Sequence, residues 1–190
     1  MANKLQINSS TPELNKNKMK LSKILSVLFL AVLIPAGSMA QQDKSQRASP
    51  PAQVTKEVSG KTVTIDYSRP SKRGREIFGS LEAYGKVWRT GANETSWIEL
   101  SKDVKVEGKK LEAGKYGLFT IPGEEEWTII FNKAWSGWGA YDYKKSDDVL
   151  RVTVPSQEVE EPVEVFTIDI SAEGIVSLSW DRTNVEFTIK

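Results

Sequence analysis

From residue 52 onward, apolar side chains recur at every second position: Val63, Ile65 and Tyr67; Trp127, Ile129 and Phe131; Val176, Leu178 and Trp180; Val185, Phe187 and Ile189. In an extended chain successive side chains point to opposite faces, so a period of two predicts strands with one buried face. Turn-forming residues separate these runs at short intervals, as in Ser59-Gly60-Lys61, Glu107-Gly108-Lys109, Ala113-Gly114-Lys115, Pro122-Gly123-Glu124 and Ala172-Glu173-Gly174. Such spacing makes hairpins. About nine or ten strands are expected, with 149–154 and 163–170 among them. The pattern predicts an all-β chain folded as an antiparallel β-sandwich, jelly-roll-like, with at most one short helix over 77–84.

Two segments break the strand rhythm. The first runs from Tyr67 to Trp97 and holds Arg69, Lys72, Arg73, Arg75, Lys86 and Arg89 against Glu76, Glu82 and Glu94, with five aromatic residues among glycines. The second, 133–143, reads KAWSGWGAYDY and puts Trp135, Trp138, Tyr141 and Tyr143 in one short window. Both are expected as loops at sheet ends, and a strand over 86–90 is expected to end at the first of them.

The N-terminal 40 residues have a different character. From Met19, Lys20 and Lys23 precede an eleven-residue apolar run, Ile24 to Ile34, followed by Pro35, Gly37 and the small residues Ser38 and Ala40. This is the pattern of a secretory signal peptide cleaved before Gln41, with translation starting at Met1 or Met19. The run is short of the roughly 20 residues that span a bilayer. The chain therefore divides into an extension and signal over 1–40, a flexible polar leader over 41–51, and one β-sandwich domain over 52–190. The expected location is outside the cytoplasm, in the periplasm or the medium, as a soluble protein without a membrane anchor.

Composition narrows the chemistry. Cleavage would leave 21 basic and 24 acidic side chains, a formal charge of −3, which argues against nucleic acid as a partner. There is no cysteine and no histidine. Disulfides, thiol nucleophiles, Ser-His-Asp catalysis and imidazole or thiolate zinc sites are thereby excluded, and no cofactor or metal is indicated. Asp142, Asp147 and Asp148 lack the interleaved order of a calcium loop. Gly79 to Lys86 imitates a P-loop, but its glycine spacing is one residue too long and Val87 stands where a hydroxyl belongs.

Two candidate sites follow. The arginines offer forked donors suited to a carboxylate, sulfate or phosphate, and Arg89-Thr90-Gly91-Ala92-Asn93-Glu94 brings a guanidinium, an amide and a carboxylate close together. The alternative is a solvated loop pinned by internal ion pairs. The tryptophans of 133–143 suit the C–H face of a sugar ring, or else plug an open end of the sandwich. Exposure decides between these two.

The strings SRPSKRGREIFG and YGKVWRTGAN, with LEAGKYGLFTIPG, EWTIIFNK and a closing LSWDRTNVEF, resemble those of a family of exported bacterial proteins known as domain of unknown function 2911. The resemblance spans about 48–190. It implies a single-domain, all-β exported protein and brings no activity, cofactor or catalytic residue.

The function expected from the sequence is a non-enzymatic module that binds an anionic or sugar-like small ligand. Arg69, Arg73, Arg75 and Arg89 would supply charge, Asn93 and Glu94 orientation, and Trp88 and Trp138 stacking surfaces. Two alternatives stand beside it: a carbohydrate hydrolase working through two carboxylates, with Glu94 as an acid/base candidate, and a structural or protein-interaction element of the cell envelope.

Overall fold

The computed structural model describes residues 43–190, which form one compact unit. The expected extension and signal peptide, 1–40, lie outside the described residues. No helix among the described residues is long and apolar enough to cross a membrane.

The described chain is all-β and antiparallel. Its strands are β1 (Pro51–Val58), β2 (Lys61–Ser68), β3 (Trp97–Leu100), β4 (Val104–Val106), β5 (Lys109–Leu111), β6 (Gly114–Ile121), β7 (Glu126–Asn132), β8 (Asp148–Ile170) and β9 (Ile175–Thr188). Two short 3-10 turns, Lys44–Gln46 and Lys145–Asp147, are the helical pieces among the described residues. Seven strands make one sheet in the order β1-β2-β3-β6-β7-β8-β9, and β4 with β5 forms a separate hairpin. Ser59-Gly60 and Glu107-Gly108 close the β1–β2 and β4–β5 hairpins with positive φ at both residues of each pair. That is the backbone a tight two-residue turn requires between twisted strands.

One strand turns this meander into a sandwich-like curl. β8 pairs with β7 over its first residues, from Asp148 to Pro155, and with β9 from Ser156 to Ile170. Its register with β9 slips between Glu158 and Val163 and again between Val163 and Thr167. Unpaired extra residues bend a strand and strengthen its twist. Within the second slip β8 meets the chain that follows β2, where Ser71 bridges Val165 and the Phe166 N–H donates to the Pro70 carbonyl at 2.9 Å. The Tyr67 hydroxyl accepts from the Ile168 N–H at 3.0 Å.

The core fills this curl. All the period-two residues named above are buried, as are Ile98, Leu118, Val152, Val154, Phe166 and Ile168. At its centre Trp88 stacks on Trp180 with centroids 5.9 Å apart and planes 16° apart, while Phe78 meets Trp88, Trp127 and Trp180 edge-on. These are the offset-stacked and edge-to-face geometries that the ring quadrupoles favour.

Four expectations are corrected. Residues 77–84 form turns, not a helix, with Glu82 N–H donating to the Ile77 carbonyl and Gly79 N–H to that of Glu82. No strand covers 86–90; Trp88 alone makes a two-bond bridge to Thr120. The strands expected at 149–154 and 163–170 are parts of one element, because the glutamate-rich stretch between them is exposed on both faces and hides its extended backbone. Segment 133–143 lies on the outer face of the sheet and not at its end. There it covers Phe119, whose ring meets Tyr143 at 5.1 Å. This second cover explains why the ends of β6 and β7 are buried on both faces.

Replacing Trp88 with alanine should lower the unfolding free energy by about 3–5 kcal/mol in a denaturant titration, the cost of deleting a large core aromatic. A loss under about 1 kcal/mol would show that the ring is peripheral.

Candidate functional site

The outer face of the sheet carries one row of facing residues across six strands: Gln53, Asp66, Trp97, Gly117, Asn132 and Asp148. Gly117 is the low point of the row. A Cβ there would run into the Ala134 carbonyl oxygen, so the bare glycine is what lets 133–143 lie close on the sheet. Asn132 anchors the same segment, its amide donating to the Lys144 carbonyl at 3.0 Å and to the Asp148 carboxylate at 2.7 Å. Seated in this way, the segment leaves a groove of about 210 Å³ between itself, β2, β3 and the chain that precedes β1. Lys44, Asp66, Glu94, Trp97, Trp135 and Ser136 line it.

Its walls are aromatic and charged. The Lys115 ammonium lies 3.2 Å from the Trp97 ring centroid and 4.5 Å from that of Trp135, which is a cation between two tryptophans. Trp135 is 41% and Trp138 54% exposed. These two rings are thus open to solvent, while Tyr143 of the same segment covers Phe119.

The two carboxylates of the groove differ. Glu94 binds Arg47 through both oxygens, at 2.8 and 2.9 Å, and Lys44 at 3.0 Å. Burial alone would raise its carboxyl; the hydrogen bonds from Arg47 and Lys44 outweigh burial and hold it down to about 2. Arg47 also lies 6.0 Å from the Trp138 ring centroid. Asp66 accepts a long hydrogen bond from Gln53 at 3.4 Å, and burial raises its carboxyl above the ordinary range against the opposing charges of Lys115 and Lys44.

Of the residues expected at a site, Glu94 lines the groove, and Asn93 and Trp138 lie beside it. The Asn93 amide donates to the Ser49 carbonyl at 2.9 Å, its own carbonyl accepts from Gly139 at 2.8 Å, and Glu94 bridges Trp138 through the backbone. The leader expected to be flexible is thus fastened from Asp43 onward by Lys44, Arg47 and Ser49.

The arginines do not converge. Arg69 donates to the Phe166 carbonyl and to Thr167, tying β2 to β8. Arg73 reaches the Ala48 carbonyl at 3.5 Å, and Arg75 donates to the carbonyls of Lys72 and Ser71. Lys72 is ion-paired with Asp181. The Arg89 Nε is buried without a hydrogen-bond partner among the described residues. Its charge acts on Glu82, whose carboxyl burial raises to about 7 while Arg89 and Arg75 oppose. Trp88 is a correction: at 3% exposure its ring belongs to the core, and its indole N–H donates to the Gly91 carbonyl.

Trp135 was expected through the tryptophan-rich window, whereas Asp66, Trp97, Lys115 and Lys44 were not among the expected site residues. Asp66 sits between Ile65 and Tyr67, where alternation marks any polar residue as merely solvent-facing. Only strand register puts it beside Trp97.

The chain matches a family model described as "Protein of unknown function (DUF2911)" over residues 49–189. No curated protein matches it, and neither does any solved structure.

If the ion pairs at Glu94 fasten residues 43–50, trypsin should cut after Lys44 and Arg47 faster in Glu94→Gln than in the wild type at pH 7. Equal rates would show that other contacts hold the segment. Because the folded carboxyl is depressed, the stability that Glu94 contributes should be full above its ordinary pKa of 4.5 and should vanish as pH falls through about 2. Unfolding of the wild type and of Glu94→Gln across that range measures it.

Proposed function

The chain belongs to the DUF2911 family, whose description assigns no activity, and from the groove itself we propose that it binds a saccharide there. The observation that carries this reading is a half-exposed tryptophan ring, Trp135, set with two carboxylates in one concave site. A tryptophan face offers an apolar body that costs little conformational entropy to present, and it suits the C–H face of a pyranose. Carboxylates accept hydroxyl hydrogen bonds at about twice the strength of neutral acceptors. Trp135 supplies the ring, Asp66 and Ser136 the polar contacts, and Lys115 fixes Trp135 by occupying the space between it and Trp97.

An anionic ligand in the basic connection is less well supported. The guanidiniums there donate to backbone carbonyls of the chain, and Lys72 is neutralised by Asp181. Hydrolysis is the second reading, favoured by one observation. Asp66 and Glu94 line the same groove with carboxyls shifted in opposite directions, the division that an acid and an ionised partner need.

Calorimetric titration with neutral oligosaccharides of differing linkage tests the binding reading. Saturable binding is expected, weakened roughly tenfold in Trp135→Ala, which corresponds to about 1.4 kcal/mol for a lost stacking surface. Absence of binding across the panel would refute it. Appearance of new reducing ends, lost in Asp66→Asn, would establish hydrolysis.

A further inference from the structure

The two carboxylates in the groove are provided for unequally. Glu94 has two cations of the chain at 2.8 and 3.0 Å. Asp66 has none within ion-pairing distance among the described residues, although it lines the same groove and is partly withdrawn from water. Its single side-chain hydrogen bond among the described residues, from the neutral amide of Gln53, is long at 3.4 Å. Leaving water costs a carboxylate free energy that a partner of opposite charge restores.

Elsewhere in this region cations are seated on similar surfaces. Arg47 and Lys44 take Glu94, Arg47 lies over Trp138, and Lys115 lies between Trp97 and Trp135. The region therefore favours positive charge on tryptophan faces and carboxylates, and Asp66 is the groove carboxylate that no cation of the described residues contacts, Lys115 and Lys44 acting on it only from beyond ion-pairing distance. An acidic sugar would set its charge against the unpaired carboxylate of Asp66, since Glu94 is already matched by Arg47 and Lys44. A neutral one would leave Asp66 uncompensated.

We infer that the ligand of this groove is an amino sugar, whose ring lies on Trp135 and whose ammonium pairs with the Asp66 carboxylate. This rests on the saccharide reading and narrows it to one class. The groups facing Asp66 are Gln53 from β1, Lys115 from β6, Lys44 from the segment before β1 and Glu94 from the loop before β3. Lys44 is committed to Glu94 and Lys115 to the two rings, so neither takes the place of the ligand's ammonium. Only ionised Asp66 attracts it. Since burial lifts this carboxyl, binding falls away on acidification at a higher pH than an ordinary aspartate would give.

The test is calorimetric titration of the full chain with three β-1,4-linked oligomers of equal length, made of glucosamine, N-acetylglucosamine and glucose, at a pH where the free amine is protonated. The glucosamine oligomer should bind about tenfold tighter than either of the others, and added salt should shrink the difference. Asp66→Asn, nearly isosteric, should bring the glucosamine affinity down to that of the glucose oligomer. Glu99→Gln, an exposed carboxylate one row along the same face, should leave the preference in place. A preference that survives Asp66→Asn, or that Glu99→Gln removes as well, reflects general charge attraction and overturns the inference. Equal affinity for all three oligomers overturns it too but leaves the saccharide reading standing. Binding of none of them removes both.

Discussion

The bend in β8 is the constraint on which the rest of the structure depends. A strand of 23 residues cannot stay flat across a twisted sheet; β8 changes partner from β7 to β9 after Pro155, and the two register slips within its β9-paired part bend it. That bend sets Phe166 beside Trp180 and gives Trp88 a buried place against both, with Trp127 meeting Trp88 edge-on. It also explains the arginines of the long connection. Arg69 spans the join between β2 and β8, and Arg75 donates to the carbonyls of Ser71 and Lys72 beside it, which a guanidinium with several fixed donors is well suited to do. Their concentration in the sequence reflects a seam that has to be fastened.

Much of the architecture was legible in the sequence, for a physical reason. Where a strand buries one face, alternation records it directly, and the residues of 63–67, 127–131 and 176–180 lie inward as that alternation requires. What the pattern does not record is any contact between distant elements. Trp88 stands alone in a turn-rich stretch with no periodicity to give its direction, so its burial depends on Trp180, more than ninety positions later. The glutamates after Pro155 are wet on both sides, and that erases the signal of a strand that is nonetheless present.

The groove was legible only in part for the same reason. Asn93, Glu94 and Trp138 lie in irregular segments, where unusual composition stands out. Asp66, Trp97 and Lys115 lie on regular strands, where each looks ordinary alone, and they become a site only through the register that sets Asp66 against Trp97. Gly117 is the same kind of case. Its missing side chain makes the space in which 133–143 rests, and nothing adjacent in the sequence announces that need.

The curl has one more consequence, at the margins of the sheet. An open sheet ends in strands whose unpaired N–H and C=O groups invite another chain to add to them. Here β1 begins at Pro51, carries the exposed Lys56 and has β8 drawn alongside it, while the chain just past the end of β9 is bridged to Val106 through Ile189. The geometry that encloses the core therefore also shortens both free borders, leaving little straight, apolar edge on which identical molecules could stack into a growing fibre.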